Sequence, residues 1–205
     1  LADIVADVRP RADYRALDPA SLPDARATLL RAVSWPRMNT PTHVVLNALV
    51  LGHGRWRPHW LAITGGALVP DLPMVVFYLY ERIVLGTPER VIWSTRYFDP
   101  GWQTFIDVFN ALPLIALGAF VAWRARASTW LAFFASMALH CVTDLLVHRE
   151  DAHAHFFPLS SWRFISPVSY WDPRHYGWLV GPLELLLIVG GAVALFRSKT
   201  PAWRR

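Results

Sequence analysis

The stretch His140-Cys141-Val142-Thr143-Asp144-Leu145-Leu146-Val147-His148 sets three metal-type ligands at i, i+4 and i+8 in an otherwise apolar run. At about 100° per residue a helix keeps such positions within about 80° of one another, so the three side chains share one face. A rise of about 1.5 Å per residue puts His140 and His148 about 12 Å apart along the axis, too far for all three to grip one ion. Asp144 is left to pair with either histidine, or to bridge two ions at the separation of about 3.5 to 4 Å that two-metal hydrolases use. Glu150, Asp151, His153 and His155 follow at once and add further nitrogen and oxygen donors. The structural alternative is a hydrogen-bonded polar stripe followed by a solvated, histidine-rich loop.

Four more positions carry chemistry by where they fall. Thr42-His43 opens the first apolar segment, and Gly65-Gly66-Ala67-Leu68-Val69-Pro70-Asp71-Leu72-Pro73 interrupts the second with two glycines and two prolines around an aspartate. A helix broken inside a membrane is tolerated where it is buried in protein or lines a cavity, and a ligand or ion sits in such places; a proline kink with a capping Asp is the plainer alternative. Asp107 stands in the third segment and Glu184 in the last. Each long apolar segment thus carries one carboxylate, at a cost of about 2.5 to 3.5 kcal/mol per charge near a bilayer centre, so each needs a partner or a function. The single cysteine, Cys141, excludes an internal disulfide framework and a Cys-based zinc knuckle, which leaves His and carboxylates to hold any metal.

These residues must be positioned by membrane helices. The chain has 205 residues, 54% hydrophobic and 17% charged, with 11 Trp and a mean hydropathy of +0.28. That lies on the apolar side of the usual averages of about 45 to 50% and about 25%. Beyond Met38 there are one short apolar segment, Thr42 to Gly54, and four of membrane length: Trp60 to Tyr80, Thr104 to Trp123, Ser128 to His148 and Trp178 to Phe196. The expected fold is all-α, a polytopic helical membrane protein with four to five transmembrane helices. Its parts are a polar tail over 1–37, a transmembrane domain over 38–196 and a basic cytoplasmic tail over 197–205. Met38 is the expected biological start, and no signal peptide is expected at Leu1.

The net charge of +5 and the isoelectric point near 9.9 would suit nucleic acid, but the basic residues cluster in alternate connections: Arg55 and Arg57, Arg124 and Arg126, then Arg197 to Arg205. The positive-inside rule explains them as topology, so no nucleic-acid partner is expected. It places the loops over 81–103 and 149–177 outside an inner or plasma membrane of bacterial type, and the fit is complete if the first segment crosses; a re-entrant first segment is the competing picture. His43, Asp107, His148, His153 and His155 then converge toward the outer face. The loop after His155 holds Phe156, Phe157, Trp162, Phe164, Tyr170 and Trp171, aromatic residues of the kind that sit at headgroup depth. Membrane lipids are therefore expected partners, through an interfacial belt or a substrate-recognition loop, and Arg163 and Arg174 are suited to meeting phosphate.

Thr42-His43, Gly66 to Asp71, and His140-xxx-Asp144-xxx-His148 followed by Phe156-Phe157-Pro158-Leu159-Ser160 and Arg163-Phe164 together resemble the YdjM-like family of inner-membrane metal-dependent hydrolases, also described as LexA-binding. The resemblance spans about Met38 to Pro167. It implies His43, Asp71, His140 and Asp144 as metal-site residues, and a distant kinship with zinc-dependent phospholipase C and nuclease P1 type enzymes. Where that family carries a pair of histidines in its third motif, this chain has Asp107 and Asn110. Their oxygens can still coordinate, with weaker zinc binding and room for manganese, and His148, His153 or His155 would compensate.

Two functions follow. The first is a membrane-bound metal-dependent hydrolase acting on a phosphoester or lipid-linked small-molecule substrate, with a divalent metal, zinc or else manganese, bound among His43, Asp71, Asp107, His140, Asp144, His148, His153 and His155. Asp144 or Asp151 would then act as base and Arg163 would steady a phosphate. The chain lacks G-x-S-x-G, H-E-x-x-H, a P-loop and any Cys-His arrangement, which argues against a serine or cysteine hydrolase, a zincin and an NTPase. The second is a non-enzymatic protein, an ion-coupled carrier, metal-handling protein or regulatory partner, whose intramembrane Asp and His relay ions. Haem is disfavoured because His140 is the one histidine well inside an expected span.

Overall fold

The computed structural model describes residues 40–197, and among them every regular element is helical. The helices are α1 (Thr40–Leu51), α2 (Trp60–Leu68), α3 (Leu72–Leu79), α4 (Glu89–Ser94), α5 (Pro100–Phe109), α6 (Leu112–Arg124), α7 (Ser128–Val147) and α8 (Gly177–Arg197). The expected tail over 1–37, the start at Met38 and the basic end beyond Arg197 lie outside the described residues. Four stretches are long and apolar enough to cross a membrane: Gly54–Val84, Pro100–Arg124, Ser128–Val147 and Gly177–Arg197. The all-helical polytopic architecture is thus present. The described part of α1 has 12 residues, about 18 Å at 1.5 Å per residue, against a hydrocarbon core of about 30 Å.

Two of the four stretches are broken rather than continuous. In Gly54–Val84, α2 and α3 are separated by the tight turn Val69–Asp71. Pro70 and Pro73 lack the N–H groups a helix needs there, so carbonyls of the preceding turn are released. Two of these find side chains from other segments: Ala67 O accepts from His140 Nδ1 at 2.8 Å, and Pro70 O accepts from Asn110 Nδ2 at 3.2 Å. The stretch expected as one helix from Thr104 to Trp123 also divides, at Asn110–Ala111 between α5 and α6. Pro113 cannot continue the α5 ladder, and the gap is closed by His155. Its ring Nδ1 donates to Asn110 O at 3.0 Å, and its carbonyl accepts from Leu112 N at 2.8 Å.

Helix α7 is the axis on which α1, α2 and α6 pack. Ser136 holds the first two: its Oγ donates to Ile63 O at 2.6 Å and accepts from Asn47 Nδ2 at 2.7 Å. Inside hydrocarbon such a clamp is favoured because the alternative is an unsatisfied polar group. One turn further along α2, Gly66 lies against the α7 backbone, where any Cβ would collide with Phe133 O and Ser136 Cβ. By contrast α8 rests mainly on α1, with Gly191 against Val45 and Leu49, and leaves Leu183, Leu185, Leu186 and Val189 exposed. Such a surface is what lipid tails cover. The loop over 149–176 folds back over the end of α7, whose last carbonyls it takes up: Ser166 Oγ on Leu146 O at 2.7 Å, Tyr170 N on Val147 O at 3.0 Å and Ser166 N on His148 O at 3.1 Å.

Replacing Gly66 by Ala forces α2 away from α7 and should lower the apparent melting temperature in detergent by several degrees, from an overpacking cost of about 1 to 3 kcal/mol. Gly65→Ala is the control, because a Cβ there meets only the Phe133 ring at an ordinary 3.6 Å. Equal shifts in the two variants would contradict the close α2–α7 approach.

Candidate metal centre

Three segments far apart in the chain bring His43, Asp71 and His140 together, with one ligand atom of each within 4.8 Å of the others. His43 comes from the first turn of α1, Asp71 from the break after α2, and His140 from α7. The His43 and His140 rings stack at 3.6 Å between centroids. Because Ala67 O can only accept, His140 Nδ1 carries a proton, and the ring turns Nε2 toward the carboxylates. That nitrogen faces Asp144 Oδ2 at 3.0 Å and Asp71 Oδ1 at 3.5 Å. On the other ring, Nδ1 of His43 meets Thr143 Oγ1 at 3.1 Å and Nε2 meets Asp144 Oδ1 at 3.1 Å. Histidines that bind metal characteristically fix one ring nitrogen on a carbonyl or hydroxyl in this way.

A second group consists of Asp144, His148 and His153, all buried, again with donor atoms within 4.8 Å of one another. His148 Nε2 lies 3.4 Å from Asp144 Oδ1. Asp151 stands behind His148, with Oδ2 at 3.3 Å from Nδ1, and is itself held by the Tyr170 hydroxyl at 2.8 Å and the Arg149 amide at 3.2 Å. Asp144 therefore sits between both groups with its side chain only 2% exposed. His140 Nε2, Asp144 Oδ1, His148 Nδ1 and His153 Nδ1 are buried without a hydrogen-bond partner. The short contacts above meet the distance of an ion pair but not the alignment of a hydrogen bond, so the donors converge on points between them. Leaving such groups bare costs about 1 to 3 kcal/mol each, and more where charge is involved, which a cation in their midst would remove.

Outside the spans, the charges are ordered by position. Burial works against a proton on His148, and the flanking Asp151 and Asp144 carboxylates outweigh it, lifting its pKa well above the usual histidine value. Burial would also raise Asp151, but His148 and the Tyr170 hydroxyl hold it below the usual carboxylate range. Burial and the neighbouring His148 charge depress His153 to about 3, and burial lowers His155. Neutral imidazole is the form that ligates metal.

Asp107, expected as a metal ligand, and Arg163, expected to steady a phosphate, lie outside both groups and pair with each other. Arg163 Nη1 donates to Asp107 Oδ1 at 3.2 Å and Nη2 donates to Oδ2, while Oδ1 also accepts from the Ala154 amide at 2.9 Å. Arg163 Nη1 further donates to Ala152 O. The pair straps the segment from Ala152 to His155 onto α5, and all four of those residues are buried rather than solvated. His155 is spent on closing the α5–α6 gap through Nδ1, and its ring meets His153 edge-on at 5.8 Å. Asn110 is likewise occupied, by Pro70 O, Ile106 O and the Cys141 thiol. Asp107 and Asn110 thus build the scaffold of the site. The expected base Asp151 acts on His148 rather than facing open space, and the expected base Asp144 is enclosed by three imidazoles. Among these carboxylates Asp71 keeps an open edge, at 24% exposure, with Thr40 Oγ1 donating to its Oδ2 at 2.7 Å.

Sequence reasoning had passed over Thr40, the Ala67 carbonyl and Tyr170, since nothing in a hydroxyl or a peptide oxygen marks it as the partner of a residue 19 to 73 positions away. It had also left Glu184 of α8 outside the site, although it interacts electrostatically with His148 and Asp144. A third group, Glu150, Asp172 and His175, lies toward the surface. There Asp172 is already taken up by Arg174 at 2.9 Å and His175 at 3.1 Å, an ordinary lock across the Pro173–His175 turn. No family model matches the chain, and neither does any curated protein or solved structure.

If Asp107 and Arg163 strap the loop, Asp107→Leu and Arg163→Leu should each destabilise by about 1 to 3 kcal/mol, less than the 3 to 5 of a fully buried pair because Arg163 is partly exposed. The double variant should be no worse than the worse single one. Thermal melts check this; additive losses would show two unrelated roles.

Proposed function

We propose that the chain is a membrane-embedded metal-dependent hydrolase, with a divalent cation, zinc or manganese, held by His43, Asp71 and His140 against Asp144. The observation that carries this reading is His140 Nε2. Its ring is fixed by Ala67 O so that a buried nitrogen without a hydrogen-bond partner faces two carboxylates, a place that a cation between them would fill. The donor set of two imidazoles and carboxylates, with one carboxylate partly open, is that of catalytic rather than closed structural sites. The motifs shared with the YdjM-like hydrolases involve the same four residues.

The cation would supply Lewis acidity toward a phosphoryl or carbonyl oxygen and a water acidified toward a pKa of about 7. Everything else falls to the chain. Ala67 O and Thr143 Oγ1 set the two rings, Thr40 orients Asp71, and the packed α1–α2–α7 core excludes water from all sides but the Asp71 edge. The substrate side is supported by the loop between α7 and α8. Two membrane-crossing helices flank it, and it exposes Leu159 (80%), Trp162 (55%) and Ile165 (52%), a surface suited to headgroup depth. Arg163, within that loop, ties it to Asp107 beside His153 and His155. A lipid-linked phosphoester delivered along the membrane surface fits this placement, on the outer side of an inner or plasma membrane if the basic connections face the cytoplasm.

The test is metal content by mass spectrometry on detergent-purified protein, with and without His140→Ala plus Asp144→Ala, alongside a screen of phosphoesters and phospholipids. Bound zinc or manganese should disappear in the double variant, and turnover should fall by more than about 100-fold, beyond what loss of a supporting residue costs. Metal-free wild type purified without chelator would overturn the reading. Metal retained with no turnover of any ester would replace the hydrolase by a carrier or metal-handling protein.

A further inference from the structure

We propose that the centre holds two cations rather than one, the second bound by His148 and His153, with the Asp144 carboxylate bridging the pair. The inference rests on the metal-binding part of the reading above and extends it to a group that the resemblance does not cover.

Asp144 offers its two oxygens to different sets of imidazoles. Oδ2 faces His140 at 3.0 Å, and Oδ1 lies 3.1 Å from His43 and 3.4 Å from His148, so one carboxylate touches members of both groups. A carboxylate shared in this manner sets two ions about 3.5 to 4 Å apart. The second group has its own unsatisfied atoms, independent of His140. His153 is 3% exposed and its Nδ1 has no hydrogen-bond partner. Asp151 backs His148 on the face opposite Asp144, the carboxylate–histidine–metal arrangement that orients a ligand and raises its basicity.

Charge balance points the same way. Asp71, Asp144, Asp151 and Glu184 bring four carboxylates to one region of the bundle. The ion pairs of the described arginines go elsewhere: Arg96 to Glu81 and Asp99, Arg149 to Glu150, Arg163 to Asp107 and Arg174 to Asp172. Cations among these carboxylates would match charge that the arginines leave unmatched, the imidazoles giving up any proton as they bind. Buried charge in a membrane protein is tolerated when it is matched. His148 and His153 enter from the other end of α7 and its loop, while Asp107 and Asn110 hold that loop in place.

The experiment loads the full-length, detergent-purified chain with Mn2+, removes free ion, and reads both stoichiometry and the electron paramagnetic resonance spectrum. Wild type should carry two equivalents with an exchange-coupled multiline signal. His148→Ala plus His153→Ala should carry one equivalent with the six-line signal of isolated Mn2+. Two equivalents without coupling in wild type, or two equivalents persisting in the variant, would overturn the bridged pair. One equivalent in wild type would overturn it while leaving the metal-binding reading intact, and none would overturn both. The wild-type spectrum decides the matter even if the double variant does not fold.

Discussion

A carboxylate enclosed by three imidazoles within a bundle of apolar helices is the constraint around which this molecule is arranged. Asp144 has its side chain 2% exposed and His43, His140 and His148 within 3.4 Å. No segment of the chain provides that environment alone. His140 and His148 come with Asp144 on α7 because of their spacing, but His43 requires the start of α1 to lie across that helix. The close approach of α2 at Gly66 and the Asn47–Ser136–Ile63 clamp hold the three helices in the register that allows it.

The helix breaks serve the same end. A continuous span has no free carbonyl to offer, and it is the interruption at Pro70 that lets Ala67 O fix the His140 ring and Pro70 O hold Asn110. The second break, at Asn110–Ala111, is filled by His155, so one irregularity is satisfied by the loop that also carries His153 of the second group. Irregular backbone at membrane depth is stable only when such partners exist, and here one of the partners, His140, belongs to the site itself.

Much of this was legible in the sequence. The helical class and four spans followed from apolar length, and the shared face of His140, Asp144 and His148 followed from spacing alone. Gly65 to Pro73 announced its break by composition. What escaped was pairing across long separations. Asp107 and Arg163, 56 residues apart, each resembled a functional residue when taken singly, and nothing local marks two charged side chains as each other's partner. The segment around His153 and His155 could be read as ligands or as a solvated loop because its burial depends on that pair, and the break in the third span was hidden because the apolar run continues past Pro113.

The ligands of the two groups run from His43 in the first helix to His153 beyond the seventh. During synthesis the chain delivers them in that order, so the groups cannot assemble until α7 has been inserted and the following loop has folded back over its end. Any ion affinity of these groups would thereby be a property of completed threading, absent from any shorter nascent piece. An ion that binds only the assembled chain stabilises it by about 2.7 kcal/mol at 100 times its dissociation constant. The order of insertion and the availability of metal would then act together as a check on biogenesis, separating finished bundles from stalled ones.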